Sequence, residues 1–328
     1  MARVMRAAHL NNFKFVEFLQ EYLILFVIVG LISITVIVEP GFWTTENFTN
    51  IMRQFGPLSF VALGMTFVIL GGFIDLSAAG VISLVAMATM SMIDVIGQGP
   101  ALAFGLTLGA SLGVINASVL IVSGANTQAK ALFITFGLSS IYGAAALLIT
   151  GGRAMNRNFI DNPITIFEAI GQGNIGPISI SFFMFLCCLV GLHLFQKKTH
   201  FGRAVNYTGG NLTAAELGGL STKRTMILIY AVCGLLAALS AIILFSRVPV
   251  ATPVVGRNFE RDAIMAVVVG GTSLFGGKGS VIRTFLGVTL IVVMSNCLNL
   301  LGVQTHLQEV IRGLILVTAI WLDHRRHR

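Results

Sequence analysis

Ten apolar runs follow one another along the chain with little interruption, at about 22–38, 57–72, 78–96, 101–123, 131–150, 177–196, 225–247, 263–275, 284–301 and 307–322. Most approach the roughly 17–25 residues that a helix needs to cross the hydrocarbon core of a bilayer. Only 10% of the residues are charged and 55% are hydrophobic, whereas a soluble domain carries about 25% charged residues. The mean hydropathy is +0.89. Such a chain cannot cover its surface in water, so lipid becomes its outer solvent, and a helix there satisfies its own backbone polar groups. The expected fold is an all-α polytopic membrane protein with about ten transmembrane helices in a single domain, 1–328. The run at 263–275 is short and reads as a broken or re-entrant helix, which is tolerated only under a cover of protein or beside a water-filled cavity.

The net charge is +8 and the sequence pI about 9.7. The basic residues stand at the chain ends and between apolar runs. They do not form a stripe interleaved with aromatics, which argues against nucleic acid as a partner. They fit the retention of Lys and Arg on the cytoplasmic side of membrane spans. About ten crossings from a cytoplasmic N-terminus put Lys197, Lys198, Arg203, Lys223 and Arg224 inside, then Lys278 and Arg283, then the tail with Arg325, Arg326 and Arg328. Both termini are then cytoplasmic. Segment 151–176 becomes the main external loop, with Arg153 and Arg157 balanced by Asp161 and Glu168. The run from Tyr22 to Val38 follows Arg3, Arg6 and Lys14 but ends at Glu39-Pro40 with no small-residue cleavage pattern, so it reads as an uncleaved first span. No loop is long enough to bury a core of its own. Any energy-converting or solute-capturing soluble module is therefore expected on another chain.

Catalytic and cofactor chemistry finds little support. Cys187, Cys188, Cys233 and Cys297 all lie in apolar stretches without a C-x-x-C pair, so neither a disulfide nor a metal site is expected. The six histidines form no H-E-x-x-H, and no nucleophile–base arrangement stands out. Gly270-Gly-Thr-Ser-Leu-Phe-Gly-Gly-Lys-Gly279 invites a phosphate-loop reading and fails it. Thr272 stands where the first Gly is required, and Gly279 follows Lys278 in place of Ser or Thr. Those glycines suit a tight turn and close helix packing. The chain is thus expected to be no enzyme and to hold no cofactor.

Three features remain. In Gly71-Gly-Phe-Ile-Asp-Leu-Ser77, Asp75 lies between two apolar runs, where a carboxylate marks a pathway or a buried partner, although Asp75 and Ser77 can also cap the next helix. Asn116, Asn296 and Asn299 sit on apolar helices and can bond a polar solute or a neighbouring helix. Asp75, Ser77, Asn116, Asn296 and Asn299 are therefore the candidate pathway residues. In the polar stretch 197–224, Asn211 is a natural N-cap and Leu212-Thr-Ala-Ala-Glu-Leu217 reads as a short amphipathic helix closed by Gly218-Gly219. It can serve as a cytoplasmic docking element or be an ordinary surface loop. A faint echo links Val68-Ile-Leu-Gly71-Gly72 with Val267-Val-Val-Gly270-Gly271, and paired interruptions of this kind occur in transporters built from repeats.

Taken together, Gly64-Met-Thr-Phe-Val-Ile-Leu-Gly-Gly-Phe-Ile-Asp-Leu-Ser77, Phe201-Gly-Arg-Ala-Val-Asn-Tyr-Thr-Gly-Gly-Asn211 with Ala214-Ala215 and Gly219, and Asp262-Ala-Ile through Gly279 with Asn299-Leu-Leu-Gly302-Val resemble a known family. It comprises the permease subunits of bacterial ABC importers for ribose, galactose, arabinose and related sugars. The resemblance implies an inner-membrane permease paired with a second copy or a paralogue. It implies a periplasmic sugar-binding protein that delivers solute and cytoplasmic ATPase subunits that hold ATP and Mg. It also implies that Gly209, Gly210, Asn211, Ala214, Ala215, Glu216 and Gly219 couple the chain to the ATPase surface. Departures occur at Ala78-Ala79-Gly80, Ala129-Lys130-Ala131, Tyr142-Gly143 and Glu260-Arg261. Pentose, hexose, a furanose signal molecule and a nucleoside all stay open as the solute. The rival is an ion-driven secondary transporter, with Asp75 as its ion-binding carboxylate.

Overall fold

The computed structural model describes residues 25–326, with side chains through residue 321. Arg3, Arg6, Lys14 and Arg328, which entered the charge argument, lie outside the described residues. The described helices in chain order are α1 (Leu25–Val38), α2 (Thr45–Leu70), α3 (Ala78–Ile96), α4 (Gln98–Val122), α5 (Gln128–Thr150), α6 (Thr165–Gln172), α7 (Ile180–Lys198), α8 (His200–Gly210), α9 (Leu212–Leu217), α10 (Thr222–Arg247), α11 (Phe259–Val269), α12 (Val281–Leu300) and α13 (Thr305–Arg326). Among the described residues, seven helices are both long and apolar enough to cross a membrane: α2, α3, α4, α5, α7, α10 and α12. The chain is an all-helical, multi-pass membrane protein.

The other three apolar runs behave differently. The described part of α1 has 14 residues. α11 has 11 residues, a rise of roughly 16 Å, or about half the hydrocarbon core. It stops short of the end of the apolar run that it overlaps because a glycine turn intervenes. α13 has 22 residues but carries Glu309 and Arg312 within its N-terminal half. The number of crossings beyond seven rests on these three elements.

α2 is the axis of the bundle. Thr44 caps it by accepting from Asn47 N at 3.2 Å, and its residues from Phe55 to Leu70 are all buried. It packs on α7, α10, α11 and α12. Thr66 and Thr284 share a buried hydroxyl bond of 2.7 Å between α2 and α12. α10 runs antiparallel to α2, with Gly71 against Ile229 near one end and Gly56 against Ile243 near the other. On its far side α10 meets α4, where Gly109 and Gly113 approach Gly234 and the Tyr230 carbonyl so closely that no Cβ fits. Without a hydrophobic force between helices in lipid, such small-residue crossings let dispersion hold the pair.

The echo between residues 68–72 and 267–271 proves to be one cap built twice. Gly72 takes φ +83° and Gly271 φ +91°. Gly72 N donates to Ile69 O and Phe73 N to Val68 O at 2.9 and 3.1 Å, and Gly271 N donates to Val268 O and Thr272 N to Val267 O at the same distances. Two left-handed glycines therefore end α2 and α11 in the same way.

Both turns lie at the end of the bundle that carries Lys197, Lys198, Arg203, Lys223 and Arg224. The opposite end is laced by residues 151–179 and 248–251. There Met155–Asn156 pairs antiparallel with Val250–Ala251, and Asn174–Ile175 with Ile178–Ser179. Arg157 is buried, and its Nη1 donates to Ser246 O at 2.9 Å. It is thus held by a carbonyl at the C-terminus of α10, where a cation is favoured, and not by the carboxylates of Asp161 or Glu168. Arg53 likewise donates to Gln172 O at 2.6 Å.

Candidate functional site

At the basic end, three glycine-bearing segments meet. α8 ends at Gly209-Gly210. An added Cβ at Gly209 would meet the Leu70 carbonyl and lie 2.8 Å from Gly277 N. Gly277 N donates to Leu70 O at 2.9 Å, and a Cβ on Gly276 would stand 2.8 Å from the Gly72 Cα. The C-terminus of α2, the C-terminus of α8 and the 271–280 turn are therefore in backbone-to-backbone contact. The turn is folded by Ser273 N donating to Lys278 O at 2.9 Å. It is tied outward by Gln128 Nε2 on Leu274 O at 2.6 Å and by Gln196, whose Oε1 accepts from Val281 N at 3.0 Å. The Gly-rich segment is a packed turn, as its failed phosphate-loop pattern implied.

α9 extends from this junction. Asn211 Oδ1 accepts from Ala214 N at 2.9 Å, which is the expected N-cap. Ala215 is buried beneath the helix, whereas Leu217 is 86% exposed. Gly219, at φ +81°, closes the helix with Leu220 N on Ala215 O at 3.0 Å. Glu216 Oε1 accepts from Thr222 Oγ1 at 2.7 Å, tying α9 to the first turn of α10. Gly209, Gly210, Asn211, Ala214, Ala215, Glu216 and Gly219 thus occupy one continuous helix–turn–helix corner.

Among the five candidate pathway residues, the structure brings together three. Asp75 Oδ1 accepts from Ser77 N at 2.8 Å and from Ser77 Oγ at 2.6 Å. Asn116 Nδ2 donates to Ser77 Oγ at 2.6 Å, and Tyr142 OH donates to Asn116 Oδ1 at 2.7 Å. The Cys233 thiol lies beside Asp75. This knot joins the α2–α3 connection to α3, α4, α5 and α10, and Asp75, Ser77 and Asn116 are each no more than 2% exposed. Capping is only partly as expected: Asp75 takes the Ser77 backbone N–H, but the Ser77 hydroxyl turns sideways and caps nothing. Tyr142 and Cys233 belong to the knot and were not singled out from sequence. Nothing local distinguishes them from ordinary packing residues.

The other two amides stand apart. Asn296 and Asn47 exchange bonds of 2.7 and 3.1 Å between α12 and α2. Asn299 Oδ1 accepts from Gln308 Nε2 at 2.8 Å between α12 and α13. Each joins two helices.

A further charged cluster was missed. Arg261 and Asp262 on α11, with Glu309 and Arg312 on α13, line a cavity of about 70 Å³ together with Asn258 and Met265. Arg312 Nη1 pairs with Asp262 Oδ2 at 2.8 Å, and its Nη2 donates to Ser295 Oγ at 2.7 Å. The sequence did carry a signal, since charges adjoin one apolar run at 260–262 and interrupt another at 309 and 312.

Comparison with known proteins agrees with a multi-pass membrane protein. The chain is 33% identical to the ribose import permease protein of Haemophilus influenzae over 317 residues, covering 96% of each chain. It is 37% identical to that of Bacillus subtilis over 316 residues, covering 94% of this chain and 93% of the relative. With the D-allose transport system permease protein of Escherichia coli it shares 29% over 321 residues, covering 97% and 95%. No solved structure matches the chain. Residues 47–320, from the first turn of α2 to the last turns of α13, match the family described as "Branched-chain amino acid transport system / permease component", and the chain is a member of that permease family.

Proposed function

We propose that the chain is the membrane permease of a sugar ABC importer, taking a ribose-like monosaccharide from a periplasmic binding protein and passing it inward as partner ATPases hydrolyse ATP. The named relatives carry ribose and allose. The observation that supports the mechanism is the backbone contact of Gly209 with Leu70 and Gly277 beneath the exposed α9. A displacement of α9 moves α8, and α8 can move only with the C-terminus of α2 and the turn that follows α11. A push on one surface helix is thereby delivered to the central helix of the bundle. ATP and Mg are assigned to the partner, in keeping with the failed phosphate-loop pattern of residues 270–279.

This reading orients the molecule. The basic end and α9 are cytoplasmic, residues 151–179 face the binding protein, and 1–328 acts as one permease domain. α1 and α13 complete the crossings, α11 with the extended chain before it makes one more, and the count becomes about ten with both termini inside a bacterial inner membrane. A second copy or a paralogue completes the pathway.

The test is uptake of labelled D-ribose by cells or vesicles containing this permease with its ATPase and binding protein, with and without ATP. Uptake that needs ATP and the binding protein supports the reading. Uptake that survives ATP depletion but collapses with an uncoupler overturns it in favour of ion coupling. Gly210→Trp or Glu216→Lys is expected to leave membrane insertion unchanged and to lower uptake at least about tenfold, the size of effect that one lost interface contact produces. ATP hydrolysis should then no longer rise with binding protein and sugar. Undiminished uptake and stimulation in the double variant would remove α9 from the coupling path.

A further inference from the structure

Two polar constellations lie within the helical bundle, and they differ in one respect that decides their use. The knot around Asp75 is closed, with its three candidate side chains bonded to one another and shut off from any opening. The cluster between α11 and α13 is open. The Asp262 and Arg312 side chains are 21% and 26% exposed, and Arg261 and Glu309 are exposed.

Depth makes that exposure significant. Asp262 lies seven residues from the end of α11 and Arg312 seven residues from the start of α13, so each stands roughly 10 Å in from its own turn. The hydrocarbon core is about 30 Å thick. Charged groups facing lipid at such depth are costly, and as a rule they face a bundle interior or a water-filled cavity. Their unused bonding capacity points the same way. Glu260 Oε2 and Arg312 Nε have no hydrogen-bond partner among the described residues. The backbone is irregular here too: Asn258, just before α11, is the one non-glycine residue with positive φ among the described residues, at +75°. The chain entering α11 is braced on α3 by Gly256 N donating to Ser83 Oγ at 3.1 Å. Unwound backbone within a membrane is tolerated where it lines a cavity.

The geometry points to the α11–α13 cavity as a solute-contact site on the permeation path, with Arg261, Asp262, Glu309 and Arg312 binding the hydroxyl groups of a neutral polyol. This inference rests on the permease reading and deepens it. Two guanidinium groups donate and two carboxylates accept, so vicinal hydroxyls find both partners. The four charges cancel, so the site offers no net field to draw an anion or a cation. The cavity is far smaller than the roughly 300 Å³ at which small-molecule pockets begin. The Arg312–Asp262 pair narrows the opening, and admission of solute requires that pair to part.

Two measurements on the assembled importer test this. The first needs no knowledge of the solute. Gly313 lines the cavity, and a Cβ there meets nothing within 4 Å. With Cys187 and Cys188 replaced by Ser, Gly313→Cys in membrane vesicles is expected to react with a charged, membrane-impermeant thiosulfonate at least about tenfold faster than Val190→Cys, an exposed apolar position on α7, because thiolates form only in contact with water. Equal rates would place the cavity in lipid and overturn the proposal.

The second measurement uses D-ribose as the probe. Asp262→Asn and Arg312→Gln should each lower uptake at least about tenfold, in line with the loss of a charged hydrogen-bonding partner. The amount of assembled complex should stay within about twofold, because each variant keeps a polar group in place. Exchange of the pair, Asp262→Arg with Arg312→Asp, should remain defective. Recovery of uptake in the exchanged variant would show a merely structural bond and overturn the proposal. If the unaltered importer does not take up ribose, it is the sugar reading that fails, and the labelling rates still decide whether this cavity is aqueous.

Discussion

Gly209→Ala is expected to abolish most transport with the addition of a single methyl group. The new Cβ would overlap the Leu70 carbonyl and lie 2.8 Å from both Leu70 C and Gly277 N. All three atoms are backbone, so no side chain can rotate away. Overpacking of this kind costs about 1–3 kcal/mol, and the α8–α2 contact is the part of the structure that must yield. A separation there breaks the path from α9 to the central helix. Uptake should fall at least about tenfold, the population change that a penalty of this size implies, and ATP hydrolysis should lose its dependence on solute. Gly210→Ala is the control. Its Cβ would meet nothing within 4 Å, so one methyl there should leave uptake within about twofold, as expected of a surface change. Equal activity of the two alanine variants would remove the glycine junction from the mechanism.

Asp75→Ala is expected to be the most destabilising single change in the polar knot. It strips the acceptor from the Ser77 N–H and the Ser77 hydroxyl, both buried. Each orphaned donor costs about 1–3 kcal/mol, and the loss spreads through Ser77 to Asn116 and Tyr142. Asp75→Asn keeps an oxygen at the same place, and its cost should be near 1 kcal/mol, the worth of an ordinary hydrogen bond. Thermal unfolding of the detergent-solubilised protein should therefore rank wild type, Asp75→Asn and Asp75→Ala in falling order. Indistinguishable midpoints for wild type and Asp75→Ala would contradict the stapling role. The same pair of variants separates the two transport classes. If Asp75 were the ion-binding carboxylate of a secondary transporter, Asp75→Asn would stop uptake outright. As a staple in an ATP-driven permease, it should preserve ribose uptake to within a few-fold, because an amide there still accepts the Ser77 bonds.

Legibility in the sequence followed the range of the interaction. Runs 78–96, 101–123 and 131–150 became α3, α4 and α5 nearly as drawn, because hydropathy is a local property and lipid rewards it directly. α2 began twelve residues before its apolar run, since Thr44 is a cap and the buried Asn47 bonds Asn296 on α12, a partner that hydropathy cannot anticipate. Asn211 and Gly219 marked the two ends of α9 correctly, because a cap and a left-handed glycine act within four residues of themselves. The duplicated caps after α2 and α11 were visible for the same reason.

The polar residues were harder. Asp75 and Asp262 both stand beside apolar segments, and in sequence Asp75 looked the more significant. Asp75 bonds Ser77 beside it, but the groups that complete the knot around that pair come from α4, α5 and α10, far along the chain. α4, α5 and α10 are apolar almost all round, so periodicity does not say which face meets which neighbour. Arg261 stood out only as a departure from the family pattern, and Glu309 and Arg312 went unweighed because charge near a helix end ordinarily reads as a boundary.

By itself the sequence determined that this chain lives in a membrane, that it crosses many times, that its glycine-rich segment is a turn, and that a short capped helix stands out from it. Those outcomes follow from hydropathy and from hydrogen bonds between near neighbours. Only the tertiary structure decided which buried polar groups are spent on holding helices together and which remain open. A carboxylate bonded to Ser77 and enclosed by Asn116 and Tyr142 is closed, and one beside a cavity is not. That difference arises when the helices pack, because packing brings together groups that are far apart along the chain.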